Sequence, residues 1–388
     1  AVVDSDTPLY GGLDEIKLTN QTLKKAEALA AKLWGADYAR FSTGGSTHAN
    51  QAVIFALGKP GDKVAVSRTA HRSVLSALVL AGLEPIWMSP EIDGATGVPI
   101  GIGIQELQRA LTEKPIAVLL TEPGYLGTIS DLPALVAAAH AVDVPVILDA
   151  AWGGHFGFHP HLPRHAFQVG ADALITSTHK ALPGYSASAL LLARTNLLSA
   201  ERLEQSFETT HTTSPAGAPL ASIDGVRALL ETRGEALIAD LLDNIHRFKE
   251  MVQAEFALPI FLYPSDFPEG RFDPAKVVLR VQQLGASGVD IERDLQAHGI
   301  RVEMADRDTI VFLATIADTR ADFDSLADAL IPILKKRQEQ RRESATALSW
   351  SVVPQRATSM RDAYFAGTEI VPADQAIGRI SADLIAPY

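Results

Sequence analysis

The 388 residues include no cysteine. Disulfides, thiolate metal sites and a cysteine nucleophile are therefore excluded, and a cytoplasmic location fits. Basic residues are short as well: 34 Lys and Arg face 46 Asp and Glu, a net charge of -12. A nucleic-acid footprint needs a basic face, so nucleic acid is not an expected partner. Solubility accounts for the acidic excess, which also favours cationic small molecules. No apolar run approaches the roughly 18–20 residues of a membrane helix, so no membrane partner is expected. Asp4 and Asp6 stand where a secretory leader carries basic residues. No Gly-x-Gly-x-x-Gly follows the first strand, which places a Rossmann-type oxidoreductase last among the readings. Gly44-Gly45-Ser46-Thr47 also lacks the second flanking glycine of a serine-hydrolase elbow.

What is there suffices for a large core. Hydrophobic residues make up 47% of the chain and aromatics 6%, and the length corresponds to roughly two or three domains. Leu23, Ala26, Leu29, Ala30 and Leu33 share one face of a helix expected over 22–33, with Gly35 placed to end it. A strand over 38–41, the loop 42–47 and a helix to Leu57 follow. Apolar strands are expected at 64–67, 84–88, 117–121, 144–148, 173–176 and 187–192, separated by helical stretches such as 132–142. Continuous apolar strands with helical crossovers predict a mostly parallel sheet covered on both faces. Residues 219–256 read as one or two long helices. A smaller α+β unit follows, with strands at 277–281, 300–304 and 309–313 and helices at 289–298 and 321–334. The basic run Lys335–Arg342 reads as a solvated helix end. The expected division is 1–215, a large domain; 216–256, connecting helices; and 257–388, a small α+β domain.

Three features carry chemistry. Gly44-Gly45-Ser46-Thr47 lies at a strand-to-helix junction, where backbone N–H groups and two hydroxyls offer a phosphate site; alone it reads equally as a helix start with an ordinary Ser/Thr cap. Asp149 directly follows the apolar run 145–148. Burial penalises its charge unless a cation such as a protonated pyridine nitrogen pairs with it, the alternatives being a helix cap or a structural salt bridge. Ser177-Thr178-His179-Lys180 follows another apolar strand, where a lysine of lowered pKa can form a Schiff base. An exposed lysine after a strand is common. Together and in this order, the three point to pyridoxal 5'-phosphate (PLP) carried on Lys180.

The same residues resemble the fold-type-I PLP enzymes, and within them the bacterial ornithine/lysine/arginine decarboxylase family, along nearly the whole chain. Gly45-Ser46-Thr47 with Asn50 is similar to the family's phosphate-binding turn. Arg68, His71, Arg72 and Ser73 resemble the segment whose histidine stacks on the cofactor ring. Glu122-Pro123 with Tyr125 and Gly127 is similar to its Pro-Thr-Tyr-x-Gly turn, with Gly124 in place of the threonine. Asp149 to His155 resembles the segment that supplies the pyridine partner; Ala151 brings a methyl to the other ring face, with Trp152 beside it. Ser177, His179 and Lys180 match Ser-x-His-Lys. Thr212-Thr213-Ser214-Pro215 resembles the segment that reaches the phosphate of a neighbouring subunit, and 299–306 and 376–383 resemble C-terminal segments.

The resemblance implies an α/β, PLP-dependent transferase-like (fold type I) large domain with a mostly parallel sheet, plus a small α+β C-terminal domain. It implies decarboxylation of lysine, arginine or ornithine through an external aldimine. Lys180, His71, Asp149 and His179 are the catalytic candidates. Gly45, Ser46, Thr47, His71, Asp149, Ala151, Trp152, Ser177, His179, Lys180, Thr213 and Ser214 are those for the cofactor. The expected partners are a small amino-acid substrate and a second copy of the chain, in a homodimer or higher assembly sharing its sites. An aminotransferase or lyase on the same fold and a non-catalytic paralogue are the alternatives; Arg356 and Arg379 are the arginines left for a second substrate carboxylate. The sequence starts after a Pro-Gly-His-Lys segment and stops before a Pro-Pro-Gly-Ile-Pro segment of the family, so trimmed ends and an absent N-terminal wing domain are expected. No metal is expected from His155, His159, His161 and His165, which Pro160 and Pro163 break up without a carboxylate at ligand spacing. His48 reads as a helix-surface histidine.

Overall fold

The computed structural model describes residues 14–15, 18–19, 21–338 and 355–381. A short antiparallel pair, β1 (Asp14–Glu15) and β2 (Leu18–Thr19), precedes α1 (Thr22–Trp34). Helix α1 stops at Gly35, whose φ of 71° turns the chain while its N–H returns to the last carbonyls. Then come β3 (Tyr38–Ser42), α2 (Gly45–Leu57), β4 (Lys63–Ser67), α3 (Arg72–Ala81) and β5 (Glu84–Met88). A hairpin of β6 (Pro90–Ile92) and β7 (Pro99–Ile102) leads to α4 (Ile104–Leu111), β8 (Val118–Thr121), α5 (Leu132–His140), β9 (Val146–Asp149), β10 (Ala173–Ser177) and β11 (Ala189–Ala193).

Seven strands form one sheet in the order β3-β11-β10-β9-β8-β4-β5. Every pair is parallel except those of β11, which runs antiparallel to β10 and β3. Successive residues serve opposite faces of the sheet. On β9, Val146 and Leu148 pack with α5 and α1, whereas Ile147 joins Val53 of α2 and Leu78 of α3 on the other side. Both faces are covered, so the strands are apolar throughout. The expected strand at 187–192 starts later, at Ala189, because Ala187 adopts a φ of 63° that no ladder accommodates.

Helix α6 (Ala200–Thr210) closes over α2, and α7 (Gly217–Gln253) is one continuous helix of 37 residues. Beyond it, β12 (Val277–Arg280), β13 (Met304–Ala305) and β14 (Thr309–Phe312) make a three-stranded antiparallel sheet beside α8 (Gly288–Ala297) and α9 (Arg320–Arg337). The strand expected at 300–304 shrinks to Met304–Ala305. Its alternation of half-buried and exposed residues is real, but the ladder engages only where Met304 meets Val311. Helix α9 ends at Arg337, and residues 339–342 and 382–388 lie outside the described residues. A last helix, α10 (Met360–Phe365), rests on α3 through Arg361, which donates to the carbonyls of Val79 and Leu80. No helix among the described residues is long and apolar enough to cross a membrane.

Candidate active site

The carboxyl ends of β3, β4, β8, β9 and β10 point one way, and ligands of such sheets bind beyond that edge. Strand β3 delivers Ser42 and the turn into α2. Gly45, at a φ of 68°, is the first helical residue, and Gly44 caps without a side-chain bond. The Ser/Thr cap reading is therefore replaced by a different use of the hydroxyl: Ser46 Oγ lies 2.7 Å from Ser177 Oγ, at the end of β10. Two hydroxyls from distant segments thus meet at the amino end of a helix, where N–H groups favour an anion. Thr47 is exposed at the same helix start.

Strand β9 ends on Asp149, 4% exposed. Its Oδ1 accepts the Ala151 N–H at 3.2 Å and its Oδ2 accepts Asn50 Nδ2 at 2.8 Å. Asp149 neither caps a helix nor makes an ion pair among the described residues, which disposes of both alternatives. Burial raises its pKa, against the pull of the Asn50 bond and of His71 and Lys180. A carboxylate in that state favours an added cationic partner. Asn50 lies one and a half turns into α2, and its Nδ2 reaches Asp149 and Ser73 Oγ (2.9 Å).

His71 caps α3, and its Nδ1 accepts the Ser73 N–H at 3.2 Å, with Ser73 Oγ at 2.9 Å. An acceptor Nδ1 leaves the ring proton of the neutral form on Nε2; burial lowers the pKa of His71, and Asp149 opposes the shift. Lys180 is half-buried, with Nζ 4.2 Å from the Trp152 ring centroid. Burial depresses its pKa, while Asp149 and Glu303 hold it up. His179 is oriented by an Nδ1 contact of 2.8 Å to the Ser188 carbonyl. A carbonyl only accepts, so Nδ1 carries a proton and Nε2 remains available.

Trp152 is buried edge-to-face against Tyr125, centroids 5.4 Å apart. A second ammonium, Lys276 Nζ, sits 3.7 Å from its centroid. Tyr125 Oη donates to Glu303 Oε1 at 2.7 Å, bringing the 300–304 segment to the same place. Lys276 has no signature in the sequence Asp273-Pro274-Ala275-Lys276, and Glu303 has no role of its own within 299–306; their approach to Trp152 and Tyr125 marks them.

Other expectations resolve differently. Thr213 and Ser214 are exposed and make no described contact with the remaining candidates; the preceding His211 holds Thr43 instead, Nε2 to Oγ1 at 3.2 Å. His48 is buried rather than on the surface, because α6 closes over it: its ring nitrogens meet Ser42 Oγ at 2.8 Å and Thr210 Oγ1 at 3.0 Å. His155 turns away to Asp273 Oδ1 at 3.0 Å. Arg356 and Arg379 are both engaged elsewhere, with Glu84 and Glu369. No cluster of three or more metal-ligating residues occurs among the described residues.

Residues 5–266 match the family described as Orn/Lys/Arg decarboxylase, major domain. The chain is 35% identical over 385 residues to an arginine decarboxylase of Bacillus subtilis (strain 168), which covers 97% of this chain and 78% of the relative. Its structure is similar to that of lysine decarboxylase A from Pseudomonas aeruginosa, with a TM-score of 0.77 at 19% identity, over 92% of this chain and 62% of that one. It is also similar to Sphingomonas wittichii serine palmitoyltransferase, with a TM-score of 0.66 at 15% identity, over 84% and 80% of the two chains. The chain thus spans less than two thirds of the lysine decarboxylase. The structural likenesses establish the α/β architecture of the fold-type-I enzymes. With the family match covering more than half of its residues and a 35% identical relative along nearly all of it, the chain belongs to the Orn/Lys/Arg decarboxylase family.

Proposed function

We propose that this chain is a PLP-dependent decarboxylase that converts a basic L-amino acid, lysine, arginine or ornithine, to its amine and carbon dioxide. The observation that carries the reading is the arrival of Asp149 and Lys180 at the ends of two adjacent parallel strands, each with a pKa displaced by burial. The donor set fits the cofactor. A buried carboxylate without an ion-pair partner among the described residues suits a pyridinium, a lysine of depressed pKa suits an aldehyde, and the Ser46–Ser177 hydroxyls at the amino end of α2 suit a phosphate.

Lys180 is the amine that would carry the cofactor. Ser46, Thr47, Ser177 and the N–H groups after Gly45 would hold its phosphate, and Asp149 would pair with its ring nitrogen. His71, Ala151 and Trp152 would line the place of the ring. Bound there, PLP supplies an electron-withdrawing ring that weakens the bonds of the substrate α-carbon. Asn50 keeps the carboxylate of Asp149 oriented. His179, with Nδ1 committed to Ser188, moves protons at Nε2, and Lys180 moves them at Nζ, so either returns one to the α-carbon after carbon dioxide leaves. Exposed Thr213 and Ser214 are contributed to the site of a second copy, in a homodimer. We also propose that α7 connects the cofactor-binding unit, 1–215, to a smaller unit, 257–388.

The test is incubation of PLP-loaded protein with L-lysine, L-arginine and L-ornithine in turn, following carbon dioxide and amine. One amino acid should yield both in equal amounts, and Lys180→Ala should lose the cofactor absorbance of the lysine adduct as well as activity. A cofactor band that responds to amino acid without carbon dioxide release would replace the decarboxylase by an aminotransferase or lyase. An unchanged band in the variant would remove Lys180 from its role.

A further inference from the structure

Two lysines of the second unit and its approach are almost fully buried, and they differ in what they hold. Lys249 Nζ donates to the carbonyls of Leu262 and Lys276, at 3.0 and 2.9 Å, and is thereby satisfied. Lys276, 5% exposed, has no hydrogen bond or ion pair from its Nζ among the described residues. Its ammonium lies 3.7 Å from the centroid of the Trp152 ring, the same indole that Lys180 touches, and 5.7 Å from the Tyr125 ring centroid. The backbone is cleared for it: a Cβ on Gly127 would stand 2.6 Å from Lys276 Cγ, and Gly127 has a φ of 90°.

The acids that face Lys276 each engage one oxygen elsewhere, and neither makes an ion pair with it among the described residues. Asp273 accepts from His155 at 3.0 Å and from the Ala275 N–H at 2.9 Å, and Glu303 accepts from Tyr125 Oη. They hold the ammonium only at a distance, and burial together with Lys180 lowers its pKa to about 8. A buried ammonium without a contacting anion is costly, several kcal/mol in order of magnitude, and such a group suits an anion that arrives from solution.

We propose that Lys276 binds the α-carboxylate of the amino-acid substrate. The assignment rests on the decarboxylase reading above, in which the substrate carries one anionic group and the site beside Lys180 must receive it. A lysine offers a point charge rather than the bidentate fork of an arginine, so it orients the carboxylate without occupying all of its lone pairs. When the Cα–C bond breaks, its electron pair stays with the α-carbon side, where a proton from Lys180 or His179 is taken up. The carboxyl group leaves as neutral carbon dioxide. Lys276 then faces a product bearing only cationic groups, and attraction becomes repulsion, which favours release of the amine.

The test uses PLP-loaded protein and pairs of ligands differing only in that charge: L-arginine and L-argininamide, L-lysine and L-lysinamide, L-ornithine and L-ornithinamide. Dissociation constants come from the fast change in cofactor absorbance on mixing, before carbon dioxide is released. In the wild type the amide should bind roughly ten- to a hundredfold more weakly than its acid, the worth of one hydrogen bond to a charged group. In Lys276→Met the acid should fall to the level of the amide and the amide should stay where it was. Lys276→Gln is read instead if the methionine variant does not load cofactor. An acid-to-amide ratio near one in the wild type, or a ratio that survives in the variant, overturns the assignment alone. A wild type whose cofactor responds to none of the six overturns the decarboxylase reading and this assignment with it.

Discussion

Replacing Asn50 by leucine asks how the carboxylate of Asp149 is kept in the sheet edge before any cofactor pairs with it. Asn50 Nδ2 donates to Asp149 Oδ2 at 2.8 Å, and its other bond, to Ser73 Oγ, leaves Ser73 still in contact with His71. Leucine fills similar volume and offers the carboxylate nothing. A hydrogen bond to a charged group contributes about 1.5–3 kcal/mol. Because burial raises the pKa of Asp149, the folded chain holds this proton more tightly than the unfolded one. The stability so gained is present below the ordinary carboxylate range and is lost as pH rises through the folded value. The Asn50 bond offsets that loss, since it acts mainly on the ionised form. The variant should therefore lose about 1.5–3 kcal/mol at alkaline pH and clearly less at mildly acid pH. Urea unfolding of cofactor-free protein at the two pH values measures this, with Ser73→Ala to account for the second bond. Asp149→Asn in the same background should remove the pH dependence. Equal destabilisation at both pH values would refute the reasoning.

Two further substitutions probe the walls of the site. Burial pushes Glu122 up from 4.5 to about 7, against hydrogen bonds from the Ser130 N–H and hydroxyl. Its protonated form stabilises the fold at low pH, and that stability is lost as pH rises through about 7. Glu122→Gln removes this loss, so the variant should gain on the wild type by roughly 3 kcal/mol between acid and alkaline buffer, at 1.36 kcal/mol per unit; parallel stability profiles would contradict the shift. Gly127→Ala forces a side chain into a φ of 90° and against the Lys276 stem. It should cost about 2 kcal/mol or more, read as a lowered thermal midpoint, and an unchanged midpoint would mean that the loop moves freely.

The positions of the candidate residues are legible because they sit immediately after apolar strands. Asp149 follows Val146-Ile147-Leu148, and Ser177 through Lys180 follow Ala173 to Thr176, so local hydrophobicity alone located two strand ends and the reactive groups on them. Family likeness pointed to His71 and Ala151, which no periodicity marks. The boundary errors have local causes of another kind. Ala187 takes a positive φ that nothing in its neighbours signals, and the alternation of 300–304 is that of an extended chain whose ladder partner, β14, reaches only its last residue. His48 reads as a surface residue because its own helix leaves that face open; α6, whose Thr210 lies 162 residues on, covers it.

The sequence by itself determined the alternation of apolar strands and helices, the fold class that follows from it, and the chemistry available at the strand ends, because each depends on side chains within a few residues of one another. Tertiary structure decided which of those groups meet. Asn50 follows the Gly45-Ser46-Thr47 turn in sequence, and it lies against Asp149, 99 residues on. Ser46 bridges to Ser177 across 131 residues. Lys276 and Glu303 reach Trp152 and Tyr125 from beyond the 37-residue helix α7. Contacts of that range depend on how the sheets and helices pack, and packing is a property of the whole chain that no local window contains.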